Sequence, residues 1–287
     1  MRKKTEKLDK RRKYYLILDC ETATLAEAYD YSENEKSKIA LAKPLIYDIG
    51  WIITDKNGKI YKKRNFLVNE TFCNYQIFRT AYYFNKRSVY IKKLANKEIT
   101  ILSWNEIIEI LENDLSLCEG VGAYNAMFDF KKAIPFTDRY FKNFYSENWS
   151  EYLKNQLESM KKIANGEKIN NKNFNADFFE LRDKSYPLFD IWGIACEFLL
   201  NNTDYKEVCI KNGWLTASGK YFKTSAECAF RFCENQKDFI ESHTALDDAE
   251  IETKIFSKAV KKNKNKVKFG LQFFPFRILG TVEDHNG

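Results

Sequence analysis

Histidine is almost missing from this chain. Of 287 residues only His243 and His285 are histidines, which excludes any His-rich metal centre. The seven cysteines are an odd number and include no Cys-x-x-Cys pair. That argues against a structural zinc site or a disulfide scaffold and for reduced thiols in a cytoplasm. No apolar run approaches the ~20 residues a membrane-spanning helix needs. The opening MRKKTEKLDKRRKYY lacks the apolar stretch and small-residue cleavage site of a secretory signal. There is no Gly-x4-Gly-Lys-Ser/Thr loop to cradle phosphate and no nucleophile elbow for Ser/His/Asp chemistry. No internal repeat is visible. With 44% hydrophobic and 30% charged residues, what is left is an ordinary globular composition with material for a core. The length suits one domain with insertions as well as two small ones.

Charge is present in both signs but unevenly placed. The net charge is +7, from 47 Lys/Arg and 40 Asp/Glu. Residues 1–13 carry eight Lys/Arg against Glu6 and Asp9, and residues 258–268 carry six lysines and no acid. Everything outside these two basic segments is therefore net acidic. Such segments are either solvated ends or the means of attracting a polyanion to a mildly acidic body.

The run Tyr14 to Cys20 reads as a central strand covered on both faces. Residues 26–43 are a polar connector. Ile46 to Thr54 and Ile60 to Val68 read as two strands, with Asn57-Gly58 between them predicting a type I′ hairpin turn. Ser103 and Glu106 form a capping box ahead of a helix whose apolar side is Ile107, Ile108, Ile110 and Leu111. Glu119 to Tyr124 is a short strand leading into a helix. From about 136 to 185 the chain is rich in Lys, Asn, Tyr and Phe and reads as an insertion. A helix is expected over 147–164 and a loop over 165–175. Pro187 to Asp190 resumes a strand, followed by helices over about 192–200, 203–212, 224–236 and 245–262. The class is α/β with a mixed sheet.

Three acidic sites stand out. Asp19 and Glu21 close the first strand; side chains alternate, so the two share one direction and Cys20 points the other way. Asn125 and Asp129 are four apart at a strand-to-helix junction, where Asn125 reads as the N-cap and Asp129 as a first-turn acid. In Ser242-His243-Thr244-Ala-Leu-Asp247-Asp248, Thr244 as N-cap assigns Asp247 a capping role, and Asp248 is left without a local reason. Each site taken alone has an ordinary structural explanation. Carboxylates of hard oxygen character with one histidine suit Mg²⁺ or Mn²⁺, and a histidine near neutrality can take a proton from water. Two such ions about 3.5–4 Å apart can clamp both oxygens of an in-line phosphodiester displacement.

Taken together, Ile17-Leu-Asp19-Cys-Glu21-Thr22, Tyr124-Asn125-x3-Asp129 and His243-x4-Asp248-Ala249 resemble, in order, the three motifs of the DEDDh 3′–5′ exonucleases. Ile49-Gly50 and Pro187-Leu-Phe-Asp190 are similar to the second- and fifth-strand segments of that family. The resemblance spans residues 14–260. It implies a ribonuclease-H-like α/β fold: a five-stranded mixed sheet of order 3-2-1-4-5 flanked by helices, with insertions. It divides the chain into a basic tail (1–13), the exonuclease domain (14–262, insertion about 136–185) and a C-terminal extension (263–287).

The resemblance further implies two Mg²⁺ or Mn²⁺ ions. Asp19 would bridge both, Glu21 and Asp248 would complete the first, and Asp129 would hold the second. His243 would be the general base, and the backbone at Thr22 and Ala23, with Asn125 in support, would contact the terminal nucleotide. The implied partner is a single-stranded nucleic-acid 3′ end, DNA ahead of RNA, with nucleoside 5′-monophosphates as products and replication or repair as the setting. Replication proteins and a second copy of the chain stay open as further partners, and no membrane is implied. The Lys/Asn/Ile-heavy composition fits an AT-rich genome, such as that of a phage or a low-GC bacterium, with the host cytoplasm as compartment for a phage.

Some features depart from the family. Thr22-Ala23-Thr24 lacks the glycine expected after the first motif, and Tyr75 to Lys97 fits the family pattern poorly. Two other readings therefore stay open. One is an exoribonuclease of the ribonuclease T or oligoribonuclease type; the other is a nucleic-acid-binding module on the same fold that does not cut.

Overall fold

Strand β1 (Tyr15–Thr24) shows why its apolar run is unbroken. Leu16 and Leu18 enter one hydrophobic cluster while Tyr15 and Ile17 enter another on the opposite face of the sheet. A strand buried on both faces has no polar side to show. The computed structural model of the chain describes residue 9 and residues 11–24, 43–144 and 175–286. Most of the basic tail, the connector at 26–43 apart from Lys43, the expected helix at 147–164 and nearly all of the loop at 165–175 lie outside these residues.

The other strands are β2 (Pro44–Thr54), β3 (Ile60–Val68), β4 (Thr100–Leu102), β5 (Gly120–Ala123), β6 (Phe178–Leu181) and β7 (Lys184–Asp190). They form one seven-stranded mixed sheet in the order β4-β3-β2-β1-β5-β7-β6. β1 runs antiparallel to β2 and parallel to β5. Seven strands replace the expected five because two short ones, β4 and β6, add to opposite edges. β6 and the helix Ile134–Phe144 come from the stretch that reads as an insertion. The structure corrects the insertion at its borders: Ile134, Phe136, Tyr140, Phe141 and Phe179 are buried in the core, so 134–144 and 178–190 are scaffold. Their aromatic richness is core material.

The main helices are α1 (Arg87–Ala95), α2 (Trp104–Leu115), α3 (Ala126–Phe128), α4 (Ile134–Phe144), α5 (Ile191–Ala195), α6 (Thr203–Asn212), α7 (Ala226–Glu234) and α8 (Ala245–Lys262). Helices α1, α2 and α4 supply the cluster on the Leu16 face, and α5 to α8 supply the one on the Ile17 face. Ser103 and Glu106 make the expected capping box on α2, an arrangement of about 1 kcal/mol. No helix among the described residues is long and apolar enough to cross a membrane.

Two features of the backbone depend on single residues in or near β2. Gly50 on β2 lets α8 come close: a Cβ there would lie 2.4 Å from the Leu246 nitrogen. The β2–β3 turn is not the expected type I′. Only Gly58 has positive φ (81°), and the Asp55 carboxylate accepts the N–H groups of Asn57 and Lys59. The aspartate closes the turn, so Asn57 need not go left-handed.

Candidate active site

β1 outruns one of its neighbours. It pairs with β5 only from Tyr15 to Ile17, yet continues to Thr24 beside β2. The backbone edge beyond Ile17 therefore needs another partner, and Asp129 takes it. The Asp129 carboxylate accepts the Cys20 thiol at 2.9 Å and the Cys20 backbone N–H. Cys20 lies on the opposite face from Asp19 and Glu21, as alternation requires, and it anchors the second acidic motif. Asp129 opens a π-turn (Asp129–Ala133) that joins α3 to α4; such turns are frequent at functional sites. Asn125 is not the cap expected of it. It is exposed, lies in the left-handed region (φ 70°) and makes no side-chain cap bond, so its conformation turns the chain sharply off β5.

The third motif is also built differently from the expectation. Thr244 makes no side-chain bond to the α8 backbone. The N-terminus of α8 is held instead by Asp48 of β2, whose Oδ2 accepts Ala245 N–H and the Tyr90 hydroxyl, both at 2.9 Å. Burial nonetheless pushes the Asp48 carboxyl up to about 6. Asp247 is structural, but through side chains. Its Oδ2 accepts from Lys93 at 2.8 Å and from Thr244 Oγ1 at 2.8 Å. Burial opposes the charge on Asp247, yet these bonds hold its carboxyl below the usual range. Asp248 is freed to face the sheet, 4% exposed, and its Oδ1 has no hydrogen-bond partner.

His243 sits just before α8 with φ 50°, a conformation that costs a non-glycine residue on the order of 1 kcal/mol or more. The segment 75–97, which fits the family pattern poorly, holds it there. The Tyr83 ring stacks on the imidazole, centroids 4.3 Å apart and 12° from parallel. Lys86 Nζ lies 4.6 Å over the Tyr83 ring and donates to the Ser242 carbonyl at 2.5 Å. Glu241 Oε2 is 3.8 Å from His243 Nδ1. Partial burial, then Lys86, lower the imidazole pKa and favour the neutral ring.

Of the five principal residues, Glu21, His243 and Asp248 come closest, with ligand atoms all within 4.8 Å of one another. Asp19, half-buried, and Asp129, buried, stand outside that triad but in the same cluster. Burial pushes every carboxyl up: Glu21 to about 9, Asp248 to about 8, Asp129 to about 7 and Asp19 well above its usual range. For Asp19 the strongest charges after burial are four carboxylates: Glu252, Asp129, Asp248 and Glu21. Lys86 opposes this only at Glu21 and Asp248. An assembly of like charges with orphaned oxygens fits a divalent cation, and the oxygen-dominated donor set fits Mg²⁺ or Mn²⁺. Thr22 is half-buried on β1. Ala23 is buried, which leaves only its backbone for a substrate.

Several residues of this site belong to none of the three motifs. Glu252 is 3% exposed on the α8 stripe otherwise formed by Ala249, Ile255, Phe256 and Ala259, and an acid at an apolar position is its one signal in the sequence. Asp48 interrupts an apolar strand in the same way. Tyr83, Lys86 and Glu241 carry no such signal, since only tertiary packing brings them to His243. No family model, curated protein or solved structure matches the chain.

Proposed function

We infer that the chain is a divalent-metal-dependent 3′–5′ exonuclease of the DEDDh kind on a ribonuclease-H-like scaffold, releasing nucleoside 5′-monophosphates, with DNA favoured over RNA. The observation that carries this reading is the gathering of Asp19, Glu21, Asp129, His243 and Asp248, from three separate chain segments, around the free edge of one central strand. The sheet supports it too. With the edge strands β4 and β6 set aside, the remaining order β3-β2-β1-β5-β7 is compatible with 3-2-1-4-5.

Asp19, Glu21 and Asp248 would hold one ion, and Asp19 with Asp129 the other. When bound, the ions supply charge neutralisation and stabilise the attacking and leaving oxygens of the phosphodiester. The protein's own part is proton transfer and alignment. His243, kept neutral by its surroundings, takes a proton from the attacking water. Tyr83 fixes the plane of its ring, and Glu241 beside Nδ1 stabilises the imidazolium that results. The backbone at Thr22 and Ala23, with Asn125, borders the terminal nucleotide.

The test uses 5′-labelled single-stranded DNA and RNA, each with Mg²⁺, Mn²⁺ or EDTA. The expected outcome is a ladder shortening from the 3′ end, stronger on DNA and abolished by EDTA and by Asp129→Asn. Binding without shortening in every metal would leave a non-catalytic nucleic-acid-binding module. A ladder on RNA alone would make the protein an exoribonuclease.

A further inference from the structure

Glu252 lies one helical turn beyond Asp248 on α8, so the two carboxylates share a face. That face packs on β1 and β2. Glu252 accepts the backbone N–H of Tyr124, the residue that leaves β5 toward Asn125 and Asp129. One side of the carboxylate thus ties α8 to the chain segment that carries the second motif. The other oxygen, Oε2, is fully enclosed and has no partner. Its surroundings are acidic: Asp129 is the charge bearing on it most, and Glu252 is in turn the charge bearing most on Asp19.

A buried carboxylate oxygen without a donor, set against two further carboxylates, holds its charge only when a cation answers it and otherwise keeps a proton. Accepting the Tyr124 N–H does not account for the arrangement, because a neutral glutamine would serve as well. We propose that Glu252 is an additional cation ligand, acting with Asp19 and Asp129 on the inner of the two ions. The cluster then offers five carboxylates, and the inner ion meets three of them. The outer ion would meet Asp19, Glu21 and Asp248, the last two in the field of the Lys86 ammonium, which opposes a cation there, so the inner ion is bound more tightly. This inference depends on the site being a divalent-metal site.

Calorimetric titration with Mn²⁺, with bound ions counted by electron paramagnetic resonance, tests it on wild type, Glu252→Gln and Glu250→Gln. Glu250 is on the same helix but pairs with Lys63 at the surface, which makes it the control. Wild type is expected to show two classes of site. Glu252→Gln should weaken the tighter class by about 10–100-fold, leave the weaker one in place and melt no lower than wild type in EDTA. Glu250→Gln should match wild type, and Glu252→Asp, which keeps the charge on a shorter stem, should fall between. Wild-type affinity in both classes for Glu252→Gln would overturn the proposal and leave Glu252 a backbone acceptor. Equal weakening of both classes would also overturn it. A wild type that binds no Mn²⁺ would sink the metal reading itself, a result distinct from either.

Discussion

The acids at the end of β1 form two groups with different surroundings. The outer group, Glu21 and Asp248 with His243, lies beside Lys86, and its ligand atoms already lie within 4.8 Å of one another. The inner group, Asp19, Asp129 and Glu252, is dominated by burial, with repulsion from neighbouring carboxylates next at Asp19 and Glu252, and Asp129 spends one oxygen on Cys20. On the proposed function, the outer group is arranged around a base that must be free to move a proton. The inner group has no such base, and no cation is among the charges that bear most on Asp19 and Glu252. The contrast suggests a division of labour in which the inner acids secure an ion and the outer acids present the water to His243.

The largest expected effect comes from the residue the two groups share. Asp19→Asn should lower cleavage by about a thousandfold or more, because several kcal/mol of transition-state stabilisation would depend on the ions that Asp19 would help to hold. Single-turnover rates on a 3′ end measure this, and a loss under tenfold would separate Asp19 from the chemistry. His243→Ala acts on the outer group alone and should cost roughly 10²–10⁴-fold in rate with nucleic-acid affinity nearly unchanged. Parallel loss of binding would make the histidine structural. Tyr83→Leu removes the ring stacked on His243, a contact of about 1 kcal/mol, and should reduce kcat by about five- to tenfold with little change in KM. A change in KM alone would make Tyr83 a substrate contact.

The comparison also has a pH dependence. Glu21, Asp129 and Asp248 keep their protons in the folded chain up to about pH 9, 7 and 8, and Asp48 and Asp190 up to about 6, whereas unfolded carboxyls lose theirs near 4. The folded state therefore binds more protons, and stability falls as pH rises from about 4 through these values. His243, with a lowered pKa, works in the opposite direction but is one group against five. In EDTA the melting temperature should decline steadily between pH 5 and 9, and Mg²⁺ should restore more of it the higher the pH. A flat or rising profile in EDTA would mean the acids are not crowded as described. The smallest effect is expected from deleting residues 1–13: weaker nucleic-acid affinity and a shallower salt dependence, with turnover at saturating substrate unchanged. An unaltered salt slope would make the tail a solvated end.

Much of the scaffold is legible in the sequence because it follows from local pattern. The both-faces-buried run of β1, the Ser103–Glu106 cap and the α8 stripe each fit within a few residues. β4 escapes such a reading because three residues are too short to show a period, and β6 because its aromatics sit in a stretch with the composition of an insertion. Within the site, the resemblance to the exonuclease motifs names Asp19, Glu21, Asp129, His243 and Asp248, but not their supports. Asp48 replaces Thr244 at the start of α8 from 197 positions away in sequence, and Cys20 reaches Asp129 across 109. The partners of His243 come from a segment with no motif of its own. Contacts between distant segments depend on the fold, and no local period records them.

The central claim is that water, directed by these acids and His243, attacks the terminal phosphodiester, breaks its P–O3′ bond and leaves the phosphate on the released nucleotide. Cleavage of a 3′ end in ¹⁸O-labelled water, with mass spectrometry of the small products, tests this most directly. The expected result is a nucleoside 5′-monophosphate carrying one ¹⁸O in its phosphate, formed only when Mg²⁺ or Mn²⁺ is present. Unlabelled monophosphate, 3′-phosphorylated products, or no product from DNA or RNA in either metal would contradict it.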